Sequence, residues 1–358
     1  MTIALGTRRI ILPATFSSIL FWIAASLPLT FLVLLFVALF TLTPARAETI
    51  ACTGHNILRE LEASPDKLKA LQSEAALVPN GKGILWRIEK EGVAPSFLMG
   101  TMHLTDPRVL EMPKGAKAAF DGAETVIVES TEVLDETKAA SILLSHPELT
   151  MFTDQTTIAS LLPKEDAAKL EEGLKSRGIS LSAVQKMKPW IIASFVSLPA
   201  CEMARKAGGG SFLDKKLAED AITAGKTLEG LETALEQLDA MADIPMKFHL
   251  QSLIETLELG KRMDDITATM IELYIAGDVG MIVPTLKYAA EEKLGETSDY
   301  ADFEQRIVID RNHVMADRAA PILDRGKVFM AVGALHLPGK EGVIELLRQK
   351  GYRLTPVN

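Results

Sequence analysis

The chain lacks any excess of positive charge. Its 38 basic groups are outnumbered by 47 acidic ones, for a formal −9. Three of the arginines and none of the acids fall in residues 1–47, so residues 48–358 carry 35 basic against 47 acidic groups, a formal −12. That sign excludes nucleic acid or an anionic membrane as the main partner. Also missing are a G-x-S-x-G elbow, an H-E-x-x-H pair, a glycine-rich phosphate loop ahead of a lysine, and a G-x-G-x-x-G turn. Their absence sets aside serine hydrolases of the elbow type, zincins, kinases and dinucleotide enzymes. With no fixed-period repeat, Gly/Ser linker or low-complexity tract, residues 48–358 read as a single domain.

Cysteine is nearly absent too. Cys52 and Cys201 are the only two, which is too few to make a metal site by themselves. Both lie beyond an N-terminal segment with Arg8 and Arg9, an apolar run over residues 10–42, and Ala45-Arg46-Ala47 before Glu48. That order of basic, apolar and A-x-A stretches predicts a signal peptide over 1–47 and a periplasmic or secreted product. The apolar run is long for this role, although Pro28 interrupts it. The alternative is an uncleaved anchor that tethers the protein to the membrane through residues 10–42, facing the periplasm. In an oxidising compartment two cysteines predict one disulfide, worth about 4 to 5 kcal/mol in the chain-entropy model, and two unpaired thiols are the alternative.

Alternating and turn-bounded segments predict an α/β fold with a central mixed or parallel sheet. A helix around 56–76 leads into strand 83–88, a turn at Glu91-Gly92, and strand 96–100. An amphipathic stretch 114–122 precedes the buried strand 125–130. From about 132 to 298 the pattern is a large helical insertion, broken by one strand at 226–231. A long helix over 302–323, a strand at 327–332 and a helix over 339–350 finish the chain.

Two of these strands end alike, in Gly100-Thr101-Met102-His103 and Gly333-Ala334-Leu335-His336. A strand that stops at glycine and then presents histidine brings an imidazole to the rim of an α/β sheet, where ligands bind. Glu129 ends the strand 125–130 and Glu232 follows the strand 226–231. Two imidazoles and a carboxylate make a common set for a divalent metal, with His103, Glu129 and His336 as ligands. The same groups also suit metal-free chemistry, with one histidine as base and a glutamate orienting it. Each has a plainer role open to it: a hydrogen-bonding histidine after a strand, or an ion pair at a strand end. Arg311 either stabilises an anion or belongs to a solvated helix face on which Asp310, Arg311, Asp317 and Arg318 pair acid with base.

Gly100-Thr101-Met102-His103-Leu104-Thr105-Asp106-Pro107-Arg108-Val109 resembles the opening motif of the TraB/PrgY/GumN family, itself similar to the Tiki metalloproteases of animals. Val128-Glu129-Ser130, Lys188-Pro189-Trp190, Gly230-Leu231-Glu232-Thr233 with Glu236-Gln237-Leu238, Arg311-Asn312 with Met315, and Gly333 through Gly339 resemble its later motifs in order. Cys52 with Gly54, and Cys201 after Pro199, fit its exported bacterial members. The resemblance implies one site gathering His103, Glu129, His336 and Arg311, supported by Gly100, Gly333 and Asn312. It implies a divalent metal, manganese or cobalt rather than zinc, and a peptide or small-molecule substrate. The reading that follows is an exported metal-dependent hydrolase of peptidase type. His103, Glu129 and His336 hold the metal, Arg311 stabilises the oxyanion, and Glu232 is base or extra ligand. The alternatives are a regulatory protein that sequesters a peptide signal or envelope component, and a metal-independent hydrolase that uses a histidine base.

Overall fold

The computed structural model describes residues 52–294 and 303–357. The expected leader and its cleavage point lie outside the described residues, as does the end of the expected insertion. Among the described residues no helix is long and apolar enough to cross a membrane.

Six strands form one mixed sheet: β1 Leu85–Lys90, β2 Val93–Thr101, β3 Thr125–Val128, β4 Thr227–Gly230, β5 Val328–Gly333 and β6 Arg353–Pro356, in the order β4-β3-β5-β2-β1-β6. The hairpin of β1 and β2 turns at Gly92, whose φ of 74° suits a residue without Cβ. β6, which follows the last element expected from the sequence, pairs antiparallel with β1. The other neighbours run parallel: β2 beside β5, β5 beside β3, and β3 beside β4. β3 is buried at every residue, as parallel strands covered on both faces are. One face (Ile88, Leu98, Ile127, Met330) packs under the helices Asp310–Leu323 and Val343–Gln349. The opposite face (Leu85, Met99, Val126, Phe329) packs under Ala116–Gly122 and Leu213–Thr223.

The helical insertion holds a core of its own, with Leu170, Leu174, Ile192, Leu253 and Leu257 buried together away from the sheet. The expected long helix ahead of β5 is two pieces. A π-helical turn, Gln305–Ile309, runs into the α-helix Asp310–Leu323. Register fixes what matters for the site. Thr101 of β2 pairs with Gly333 of β5, so both histidine tetrads leave the sheet side by side at the carboxyl ends of parallel strands.

Candidate metal centre

Close packing of the two tetrads explains their glycines. A Cβ on Gly100 would sit 3.0 Å from Ala334 Cα and 3.1 Å from Ala334 Cβ. A Cβ on Gly333 would sit 3.1 Å from Glu129 Oε1 and 3.3 Å from His336 Cδ2. The first glycine lets the strand ends meet, and the second makes room for a carboxylate and an imidazole. The buried Tyr274 hydroxyl donates to Gly100 O at 3.0 Å and pins the first tetrad from outside the sheet.

Glu129 is the hub. Its Oε1 accepts the Gly333 N–H at 2.7 Å and lies 3.8 Å from His336 Nε2; its Oε2 accepts Arg311 Nη2 at 2.9 Å and Gln237 Nε2 at 3.3 Å. Burial pushes its carboxyl up, but His336, His103, Arg311 and the Gly333 N–H together hold it down at about 2. Glu232 accepts both Arg311 Nε at 3.0 Å and Arg311 Nη2 at 2.7 Å. Arg311 therefore lies between two buried carboxylates rather than on a solvated face. A π-helical turn sits immediately before it, a kind of irregularity frequent at functional sites.

His336 donates from Nδ1 to Asn312 Oδ1 at 2.7 Å, and Asn312 Nδ2 in turn donates to Glu341 O at 2.8 Å. The second bond sets the amide, the amide sets the imidazole tautomer, and the lone pair of Nε2 turns toward Glu129. Burial outweighs the pull of Glu129 and lowers the His336 pKa to about 4, so the ring is neutral at pH 7.

His103 meets a carboxylate that the sequence reading did not single out. Its Nδ1 lies 3.1 Å from Asp214 Oδ2. The ring is 56% exposed, and although the protein crowded around it opposes its charge, the Asp214 carboxylate and then Glu129 more than offset this and raise its pKa to about 9. Asp214 is 4% exposed, and Thr101 Oγ1 donates to its Oδ1 at 2.8 Å. Its buried Oδ2 faces that His103 ring nitrogen and accepts no other hydrogen bond. Ligand atoms of His103, Glu129 and Asp214 all lie within 4.8 Å of one another, the one such group among the described residues. They open onto a cavity of about 200 Å³ whose walls include Val133, Phe212 and Gln237. The Phe212 ring meets the His103 ring edge to face at 5.4 Å.

Asp214 reaches this place through a segment that lies inside the expected helical insertion. The helix Ala200–Ala207 ends at Gly208-Gly209-Gly210, and the chain turns back into Leu213–Thr223 with Asp214 in its first turn. A carboxylate there is favoured by the helix dipole. The signal available was a glycine run followed closely by an acidic helix start. Cys201, at the beginning of the same segment, is disulfide-bonded to Cys52.

A cation fits these residues, because a buried carboxylate oxygen that meets no group but one imidazole lies close to a second carboxylate. The donors are oxygen and nitrogen with no thiolate, a set that suits a divalent ion of hard or borderline character.

Comparison with known proteins agrees. The Metalloprotease TIKI2 of Danio rerio is 26% identical over 320 residues, covering 75% of this chain and 60% of that protein. The human Metalloprotease TIKI1 is 25% identical over 335 residues, covering 80% of this chain and 63% of that protein. The Metalloprotease TIKI homolog of Nematostella vectensis is 24% identical over 322 residues, covering 76% and 66%. The chain thus spans about 60% of the length of the first of these relatives. No solved structure matches it. The model of the TraB/PrgY/gumN family matches residues 84–356, from the start of the β1 hairpin through β6, and the chain belongs to that family.

Proposed function

We propose that the protein is an exported, divalent-metal-dependent hydrolase of peptidase type, acting on a peptide at the cavity beside His103 and Glu129. One observation carries this reading: the half-exposed His103 meets the buried Glu129 and Asp214 so closely that ligand atoms of all three lie within 4.8 Å of one another. The relatives' names support it, the family resemblance implies manganese or cobalt, and a set of imidazole and carboxylates is compatible with either. His103, Glu129 and Asp214 would hold the ion, and His336, with its lone pair facing the same Glu129 carboxylate, is the remaining donor. A divalent ion supplies Lewis acidity, which polarises a carbonyl and acidifies water at neutral pH.

The protein's own groups prepare the site. Arg311 spends Nε and Nη2 on Glu232 and Glu129, so its role in this geometry is to keep Glu129 ionised and aimed at the trio. To meet a developing oxyanion it must release one of these carboxylates, and Glu232 is free to act as a base only when that happens. Asn312 keeps His336 in the tautomer that offers Nε2. Val133 and Phe212 give the cavity an apolar wall that limits water and accepts an uncharged side chain of the substrate. The Cys52–Cys201 disulfide supports an oxidising, exported location.

Metal analysis and peptide hydrolysis test this together. Protein loaded with manganese or cobalt is expected to hold one ion per chain and to lose hydrolysis on chelation. His103→Ala and Asp214→Asn are each expected to lose the ion. Full metal retention by His103→Ala refutes the reading. A metal-free mechanism has one observation in its favour, the 3.1 Å contact that orients His103 against Asp214 as a base against its carboxylate. It predicts hydrolysis indifferent to chelator.

A further inference from the structure

A further buried carboxylate lies behind the site and takes no part in it. Glu202 is 1% exposed and spends both oxygens on one residue, Thr105, two positions beyond His103. Oε1 accepts the Thr105 N–H at 2.6 Å, and Oε2 accepts the Thr105 hydroxyl at 3.0 Å. Arg205 closes the figure, donating from Nη2 to Glu202 Oε2 at 2.8 Å and from Nε to Thr105 Oγ1 at 3.1 Å. If filling space were the only task, an apolar side chain would serve as well or better, because a buried ion pair rarely adds stability over hydrophobic packing. What a clamp adds is direction: it fixes both polar groups of a single loop residue next to a site histidine.

The clamp is itself held. Glu202 follows Cys201 in the first turn of Ala200–Ala207, and Cys201 is bonded to Cys52. The chain from Cys52 then passes Gly54, where a Cβ would fall 1.9 Å from Asp264 O, so the anchor is wedged against a helix of the insertion. Beyond Arg205, a Cβ on Gly210 would fall 2.8 Å from Arg205 O and 3.4 Å from Thr105 Cβ. The same short excursion that carries Glu202 thus turns against Thr105 and delivers Asp214 to His103.

We infer that Glu202 is a positioning residue, anchored by the Cys52–Cys201 disulfide, which acts through Thr105 to set His103 against Asp214. This rests on the metal-centre reading above, and two readouts separate the claims. One is manganese affinity by calorimetry. The other is the rate at which diethyl pyrocarbonate modifies His103, followed by peptide mass, which needs no metal. Both are measured on the wild type, Glu202→Ala, Glu202→Gln and the double variant Cys52→Ser with Cys201→Ser. Leu253→Ala, in the separate core of the insertion, controls for lost stability.

Glu202→Ala and the serine pair are expected to weaken manganese binding about tenfold to a hundredfold, the usual cost of losing support behind a ligand, and to speed His103 modification several-fold. Glu202→Gln keeps an acceptor for the Thr105 amide and is expected to fall between Glu202→Ala and wild type. Leu253→Ala is expected to lower the melting temperature and leave both readouts unchanged. Wild-type values for Glu202→Ala, or Glu202→Gln no better than Glu202→Ala, would overturn the inference. If the wild type itself binds no manganese, the metal reading fails, and the labelling rates alone decide the role of Glu202.

Discussion

Arg311→Met is the sharpest perturbation the site offers. The side chains of Glu129 and Glu232 that it neutralises are 8% and 3% exposed. Methionine keeps much of the volume but leaves two carboxylates buried together without their cation. Breaking a buried pair from one side costs about 3–5 kcal/mol. The carboxylates also have an escape, because one can take up a proton. From an ordinary carboxyl pKa of about 4.3, protonation at pH 7 costs about 1.36 × 2.7, or roughly 3.7 kcal/mol. The two routes agree on about 4 kcal/mol at pH 7, a large part of a typical domain's 5–15 kcal/mol.

The pH dependence carries the test. In the wild type Glu129 is held down at about 2, so its contribution is complete above the unfolded pKa and is lost only as pH falls from about 4.5 toward 2. In Arg311→Met the balance reverses, because burial now raises the folded pKa and stability is lost as pH climbs above the unfolded value. At pH 5 the protonation escape costs only about 1 kcal/mol, so the gap between the two proteins should shrink to that order. Urea unfolding with the disulfide intact reads it directly. With a slope near 3 kcal/mol/M, the midpoint at pH 7 moves down by more than about 1 M. Arg311→Lys keeps the charge without the fork and should fall between. A gap under about 1 kcal/mol at pH 7, or an equal gap at both pH values, would refute the argument that two ionised carboxylates are buried on this arginine.

Other sites test other links. Gly100→Ala drives a methyl into Ala334 and should destabilise by about 1–3 kcal/mol, whereas Gly122→Ala, with nothing within 4 Å of its Cβ, should be neutral or mildly stabilising; equal effects in urea unfolding would refute the packing of the tetrads. Thr233 caps the helix Ala234–Ala242 in a reciprocal box with Glu236, so Thr233→Ala should cost about 1 kcal/mol in the same assay. Asn312→Leu removes the group that selects the His336 tautomer, and peptide hydrolysis should fall about tenfold or more with a small change in substrate KM. Unchanged turnover there would detach His336 from the chemistry.

The parts of this molecule legible in the sequence are those governed by local rules. β2, β3 and β5 announce themselves by apolar runs, and both tetrads by a glycine at the strand end. The register of Thr101 against Gly333 then brings those ends together without further instruction. Elements governed by distant partners were not legible in the same way. β6 becomes a strand because β1 offers it an edge. Arg311 looks like a surface arginine beside Asp310 until Glu129 and Glu232 arrive from two other strands.

Asp214 was hidden for a different reason. A carboxylate in the first turn of a helix is ordinary on its own, and only the buried Thr101 hydroxyl and the His103 ring make it exceptional. The disulfide, the Glu202 clamp and the glycine turn lie on one continuous segment, which ends at Asp214. That contiguity makes physical sense. The sheet can fix Glu129 and the two tetrads by register, but a ligand that starts a helix in the layer above has no register to obey. Its placement must come from cross-links, and here they are one covalent bond and one buried ion pair. If that is the logic of the site, loosening the segment should cost the centre its Asp214 arm before it costs the fold its stability.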